Sequence, residues 1–264
     1  MGEVIGILSL KGGVGKTSSV MSLGSAISSF NKKVLVIDGN FSAPNLGLYL
    51  NILQPKVTIQ DVLKKKIKIK KAIQKLDFFD IILASITEKN KEKNYLKLKE
   101  KIKPIIEDYD FILIDSSPSL NDETLAVMLA SDKLLVVTTP DYPTLRITMK
   151  AVNMAKLRGT PIIGLIVNKS YNKKFEISPE EIERISGVPV MAIIPHDVNV
   201  LKAVSEFSPL TSYKPRSDGS IEYKKLAAIL IGEKYKPFRL KNLFKFSQKK
   251  QDLNRDTYYE SVFR

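Results

Sequence analysis

The chain has 264 residues, no cysteine, one histidine and a formal net charge of +14. Its length suits one large α/β domain or two small ones, and the lack of cysteine excludes a disulfide framework, thiolate metal sites and cysteine-held iron–sulfur clusters. The charge points to a polyanion partner or to a lysine-rich solvated surface, while no stretch approaches the ~20 apolar residues of a membrane span and no signal-peptide layout precedes the first strand, so a cytosolic chain is expected.

An apolar run at residues 4–8 predicts the first strand. It leads into Leu10-Lys11-Gly12-Gly13-Val14-Gly15-Lys16-Thr17, and from Lys16 to about Phe30 apolar residues recur at helical spacing, at Val20, Leu23, Gly24 and Ile27. Further strands are expected at residues 34–37, ending at Asp38, and at 79–83. A helical pattern spans 95–107. The strand at 111–114 ends at Asp115, a helix is expected over 122–130, and the strand at 134–137 closes on Thr138-Thr139-Pro140. Helix 144–157, strand 162–167 ending at Asn168, helix 179–186, strand 190–194 ending at Pro195 and helix 220–230 complete the series. Runs apolar on both faces, separated by helices, predict a doubly wound, mainly parallel sheet with helices on both sides. Polar residues gather at the carboxyl ends of the strands, where open α/β sheets bind ligands. No linker-like break precedes residue 232. The chain therefore divides into a domain at 1–232 and a basic, partly amphipathic tail at 233–264.

The glycine-rich segment after the first strand has the chemistry of a phosphate loop. Glycines let backbone N–H groups close around phosphates, a late lysine reaches the terminal phosphates, and a following Ser/Thr hydroxyl binds magnesium. Lys16 and Thr17 fill the last two roles. Leu10 stands where the usual opening glycine would be, and Lys11 follows it. The form K-G-G-x-G-K-T resembles the deviant Walker A motif of the MinD/ParA family of ATPases. The resemblance implies ATP, magnesium and a homodimer formed on ATP binding, in which Lys11 reaches across to the nucleotide of the other subunit. It runs over about residues 2–231. Residues 11–17, with Ser18, are the expected nucleotide contacts.

Asp38-Gly39-Asn40 stands where the family has its first switch, usually D-x-D. Asp38 matches and would lie near magnesium and the attacking water, but Asn40 replaces the second aspartate. An amide can orient water but carries no charge, so slow ATP hydrolysis is expected. Lys11, Lys16, Asp38 and Asn40 form the expected catalytic set. Asp115, a carboxylate after four apolar residues, needs a compensating cation or hydrogen bonds. It resembles the end of a Walker B strand, giving Thr17, Asp38 and Asp115 as the magnesium set, with residues 116–118 as the second switch. Asn168-Lys169-Ser170-Tyr171 lacks the aspartate that would read guanine. The family resemblance instead puts Asn168, Pro195, His196 and Asp197 around adenine, with His196 as a rim residue. Residues 45–48, 136–140 and 194–197 look MinD-like, whereas residues 116–120 lean toward the chromosome- and plasmid-partitioning ParA branch.

Beyond Gly232, Leu240, Leu243 and Phe244 lie on one side of a helical projection with Lys241 and Lys245 opposite, and Phe238 precedes them. Such a segment resembles the membrane-binding helix of MinD relatives. Part of it also fits a strand-like alternation, and packing back on the domain is the other reading. Phe238, Leu240, Leu243 and Phe244 are the expected membrane contacts. Each Lys or Arg near an anionic surface contributes about 1 kcal/mol, so one tail binds weakly and two tails joined in a dimer bind far better by avidity. The expected activity is therefore that of a reversibly membrane-associated positioning ATPase with a protein activator or cargo. A ParA-like ATPase that binds DNA nonspecifically is the alternative.

Overall fold

Among the described residues eight strands form one sheet: β1 (Glu3–Leu8), β2 (Val34–Gly39), β3 (Gln74–Lys75), β4 (Asp80–Ile82), β5 (Phe111–Ser116), β6 (Lys133–Thr138), β7 (Ile162–Ser170) and β8 (Val190–Pro195). Their order is β3-β4-β2-β5-β1-β6-β7-β8, with β3 antiparallel to β4 and every other pair parallel. The helices are α1 (Lys16–Ser28), α2 (Leu46–Tyr49), α3 (Ile59–Lys64), α4 (Leu98–Ile102), α5 (Asp122–Ala130), α6 (Tyr142–Arg158), α7 (Pro179–Ser186), α8 (Val198–Ser205), α9 (Leu210–Tyr213), α10 (Asp218–Leu230) and α11 (Lys250–Phe263). The structure is a computed structural model and describes residues 2–64, 67–87, 95–237 and 249–263.

Successive strand residues feed two separate cores, as the period of two requires. Val4, Leu35, Ile112, Ile114 and Leu134 face α3 to α7. Ile5, Val36, Leu113 and Leu135 face α1 and α8 to α10. Both faces are covered, which is why these strands read as continuous apolar runs. The expected doubly wound sheet is the one observed. Adjacent strands β1 and β5 send their following helices to opposite faces, α1 to one and α5 to the other. Their carboxyl ends thus open a crevice at a topological switch point, where open α/β sheets bind ligands.

Three local expectations are corrected. The helical pattern at 95–107 breaks into a 3₁₀ turn at Tyr95–Lys97, α4, and a second 3₁₀ segment at Lys103–Asp108. Pro104 lies at the start of that last segment and cannot donate the backbone N–H that a continuous α-helix needs. The helical spacing from Lys16 to Phe30 does not mark a single buried face: Lys16, Thr17 and residues 19–27 are all buried, because α9 and α10 cover the side away from the sheet. The chain after 232 is not a tail throughout, since α11 docks on the domain.

Tyr258 and Tyr259 pack against the core, but the buried anchors of that docking are polar. Arg255, 3% exposed, donates from Nη1 to the Met191 carbonyl at 2.8 Å and to Glu222 Oε2 at 3.2 Å, and from Nη2 to Asp252. Asn254 Nδ2 donates to the Val190 carbonyl at 2.7 Å. Both carbonyls belong to β8, the last strand of the sheet, so α11 covers an edge that would otherwise offer unpaired backbone groups. Phe238, Leu240, Leu243 and Phe244 lie outside the described residues. No helix among the described residues is long and apolar enough to cross a membrane.

Candidate active site

The loop between β1 and α1 turns on two glycines in the left-handed region, Gly13 (φ 78°) and Gly15 (φ 88°). Gly15 is needed for space as well. A Cβ there would lie 2.3 Å from Asn168 Nδ2, which donates to the Val14 carbonyl at 2.7 Å. Asn168, at the end of β7, thus clamps the loop from across the sheet. Its neighbour Lys169 adds a second clamp: its backbone is left-handed (φ 58°), and its Nζ donates to the Gly13 carbonyl at 2.7 Å. Residues 11–18, Asn168, Pro195, His196 and Asp197 line one cavity of about 500 Å³ over the loop. Every residue expected at the nucleotide therefore borders that cavity. His196 stacks on Tyr171, with ring centroids 4.6 Å apart and planes at 16°.

Beneath the loop lies the charged centre. The Lys16 ammonium, 7% exposed with its residue, contacts Asp115 Oδ1 and the Ser116 carbonyl. Thr17 Oγ1 donates to Asp115 Oδ2 at 2.7 Å. Asp38 is the register partner of Asp115 across β2 and β5 and is fully buried. Its carboxylate accepts from the backbone N–H of Asn40 at 3.1 Å and of Leu46 at 3.2 Å. These bonds do not offset burial and the negative charge of Asp115, which together push the Asp38 carboxyl up to about 7. One ammonium faces two neighbouring carboxylates.

That donor set fits magnesium. Asp38, Asp115 and the Thr17 hydroxyl offer hard oxygens beside the loop, and their excess negative charge calls for a cation. Among the described residues no group of three or more His, Cys, Asp or Glu side chains could hold a metal alone. Magnesium in such sites is held by one or two carboxylates, with water and phosphate completing its shell.

Lys11 lies elsewhere. Its Nζ donates to Thr144 Oγ1 at 2.7 Å and stands 3.7 Å from Asp141 Oδ1, with its side chain 40% exposed. Burial would raise the Asp141 carboxyl, but hydrogen bonds from Thr139 and Thr144 and the charge of Lys11 hold it below the ordinary range. Thr139-Pro140-Asp141, which follows β6, thus docks the second lysine away from Asp115.

Asn40 is 2% exposed. Its amide nitrogen donates to the Ala43 carbonyl, while its Oδ1 is buried without a hydrogen-bond partner. Two residues near the site had no sequence signal of their own. Lys169 was visible only within an incomplete guanine-reading motif, and Glu123 lay inside a helix pattern with nothing to mark it as buried.

Comparison with known proteins agrees with this geometry. The family model described as an AAA domain matches residues 2–157. An uncharacterized ATP-binding protein of Methanocaldococcus jannaschii is 35% identical over 237 residues, spanning 89% of this chain and 90% of that protein. The cell division ATPase MinD of Pyrococcus furiosus is similar at TM-score 0.79 and 34% identity, covering 86% of this chain and 97% of its own. The septum site-determining protein MinD of Pyrococcus horikoshii, complexed with Mg-ADP, is similar at TM-score 0.80 and 33% identity, covering 87% and 96%. With its two-lysine phosphate loop over a paired-aspartate centre, the chain belongs to the MinD/ParA family of ATPases.

Proposed function

We propose that this protein is a MinD-like ATPase that binds Mg-ATP, pairs into a nucleotide-sandwich homodimer and hydrolyses ATP slowly. The dimer would position a partner protein at an anionic membrane surface and return to the cytosol as a monomer. The observation that carries this reading is the division of labour between the two lysines. Lys16 is buried in the centre with Thr17 and Asp115, whereas Lys11 is turned outward onto Asp141 and Thr144.

Magnesium and ATP supply the phosphoryl group and the positive charge that phosphoryl transfer requires. The chain's own residues bind, orient and exclude water. Residues 12–17 border the cavity, where their backbone N–H groups would close around phosphate, and the Lys16 ammonium can exchange Asp115 for phosphate. Thr17, Asp38 and Asp115 would hold the metal. Asn40 would orient water through an amide that carries no charge, which supports slow turnover. Asn168 and Lys169 fix the loop, and Pro195, His196 and Asp197 border the base end of the cavity.

Three measurements on the full chain test the reading: magnesium-dependent phosphate release, mass in solution with ATP or ADP, and flotation with anionic liposomes. A dimer and liposome binding are expected with ATP only, and binding should weaken with salt because part of it is screened charge. Phe244→Glu should remove most of the flotation by putting a charge where an apolar face would enter the headgroups. A protein that ignores liposomes but shifts DNA with ATP would instead be the ParA-like alternative.

A further inference from the structure

The loop between β2 and α2 is tied to α5 by a contact that the phosphate-loop chemistry does not require. Ser42 Oγ donates to Glu123 Oε1, joining residues 81 apart in sequence. Glu123 lies in the first turn of α5, is 2% exposed, and its Oε2 has no hydrogen-bond partner among the described residues. Two residues before Ser42, Asn40 has the same defect: its Oδ1 is buried and unpartnered, while its Nδ2 is spent on the Ala43 carbonyl. These are the two orphaned side-chain polar atoms found among the described residues, and both belong to this one junction. A buried acceptor left unsatisfied costs about 1–3 kcal/mol. Two at one junction are a built feature that lacks a donor. Water is the small donor with two hydrogens to offer.

We infer that Glu123 is a positioning residue for hydrolysis, and that its carboxylate restores from α5 the charge that Asn40 lacks on the first switch. Glu123 holds the switch through Ser42 and, together with Asn40 Oδ1, orients a water at the switch. The helix end supports this role, because the first turn of α5 carries partial positive charge that favours a carboxylate there. The assignment also accounts for the amide at position 40. An aspartate there would put a second carboxylate at a buried junction that already holds Glu123, and like charges at close range are costly. The inference rests on the ATPase reading above and adds to it the group that sets the rate.

The test is steady-state ATP turnover, labelled-ADP affinity and thermal unfolding of the full chain as Glu123→Gln, Ser42→Ala, Asn40→Asp and the double variant Asn40→Asp/Glu123→Gln. Glu123→Gln keeps shape and gains a donor amide. It should cut kcat by about tenfold or more, a smaller loss than the ~10²–10⁴-fold of a group that itself transfers the proton, with KM and ADP affinity nearly unchanged. Its melting temperature should hold or rise, since an amide can satisfy an orphaned acceptor. Ser42→Ala should lower kcat less, because the carboxylate remains. Asn40→Asp should recover turnover in the Glu123→Gln background, by a larger factor than any gain it gives in the parent. The inference is overturned if Glu123→Gln turns over like the parent, or if kcat falls only in step with stability and nucleotide affinity. It is also overturned if Asn40→Asp accelerates parent and Glu123→Gln alike, because the two side chains would then act independently. A parent that binds ATP but never releases phosphate would overturn the ATPase reading itself, a different result from a working parent indifferent to Glu123.

Discussion

The Lys16 ammonium rests on Asp115, so the lysine expected to meet phosphate is engaged by a carboxylate expected to meet magnesium. Each therefore keeps the other neutralised in the absence of nucleotide. Removing the lysine has two consequences. Lys16→Ala should lower ATP and ADP affinity by roughly a hundredfold or more, the usual result of truncating one partner of a buried charged contact. It should also destabilise the free protein by about 3–5 kcal/mol, because Asp115 would remain buried beside Asp38 without its cation. Labelled-nucleotide titration and denaturant unfolding measure the two effects. Parent-like affinity in a folded Lys16→Ala protein would contradict the assignment of the phosphate site.

Lys11 should behave in the opposite way. Its contacts with Asp141 and Thr144 are partly exposed, and such pairs contribute at most about 1 kcal/mol. Little holds the side chain back from another partner. Lys11→Ala should retain nucleotide affinity and stability close to the parent's but remain a monomer with ATP. Light scattering behind size-exclusion chromatography decides it. An ATP-dependent dimer of Lys11→Ala would remove the support for a lysine acting between subunits.

Why one lysine was readable and its neighbours were not has a physical basis. The phosphate loop is local: residues 10–17 are consecutive, and glycine's backbone freedom leaves its mark in the sequence itself. The sheet was legible for the same reason, because burial on both faces forces unbroken apolar runs such as residues 111–114. The clamps on the loop are not local. Asn168 reaches Val14 across 154 positions and Lys169 reaches Gly13 across 156, and neither distance leaves a pattern in the chain. Helix α11 was hidden differently. Its buried residues are the polar Gln251 and Arg255, with Tyr258 and Tyr259 only partly buried against the core, so a hydropathy reading sees mainly solvated polar chain. The edge strand β3 is two residues long, below what alternation can reveal.

Asp38 should make the free protein's stability depend on pH. Its folded carboxyl lies at about 7, above its ordinary value of 3.8, so the folded state binds the proton more tightly than the unfolded one. Stability from this group is therefore fully present below about pH 4 and is lost as pH rises through about 7. The full span is at most on the order of 4 kcal/mol at 1.36 kcal/mol per pKa unit. Asp252 works against it at the acid end. Burial would raise its carboxyl, but Arg255 and Lys225 hold it below the ordinary range, so its contribution disappears as pH falls. Unfolding free energy measured from pH 5 to pH 8 isolates Asp38. It should decline with pH in the free protein and flatten with magnesium and nucleotide, whose positive metal favours the ionised form. A free protein whose stability rises across that range would mean that the carboxyl is ionised throughout.

Helix α11 should prove part of the folded domain. Arg255 is buried against Glu222 and Asp252 and also donates to a β8 carbonyl, so its removal leaves Glu222, 10% exposed at its side chain, without that cation. Breaking such a cluster from one side costs about 3–5 kcal/mol. Arg255→Ala should lower the melting temperature markedly, and a chain ending at residue 249 should fall at least as far. The truncated chain should also self-associate, because the Val190 and Met191 carbonyls of the β8 edge would be uncovered. Nucleotide affinity in the folded fraction should persist, since α11 does not border the cavity over residues 11–18. Phe244→Glu is the control. It alters the apolar segment expected to meet lipid and leaves Arg255, Asn254 and their partners unsubstituted, so it should change liposome binding while leaving the melting temperature near the parent's. A chain ending at residue 249 that melts with the parent and stays monomeric would show that α11 rests on the domain without stabilising it.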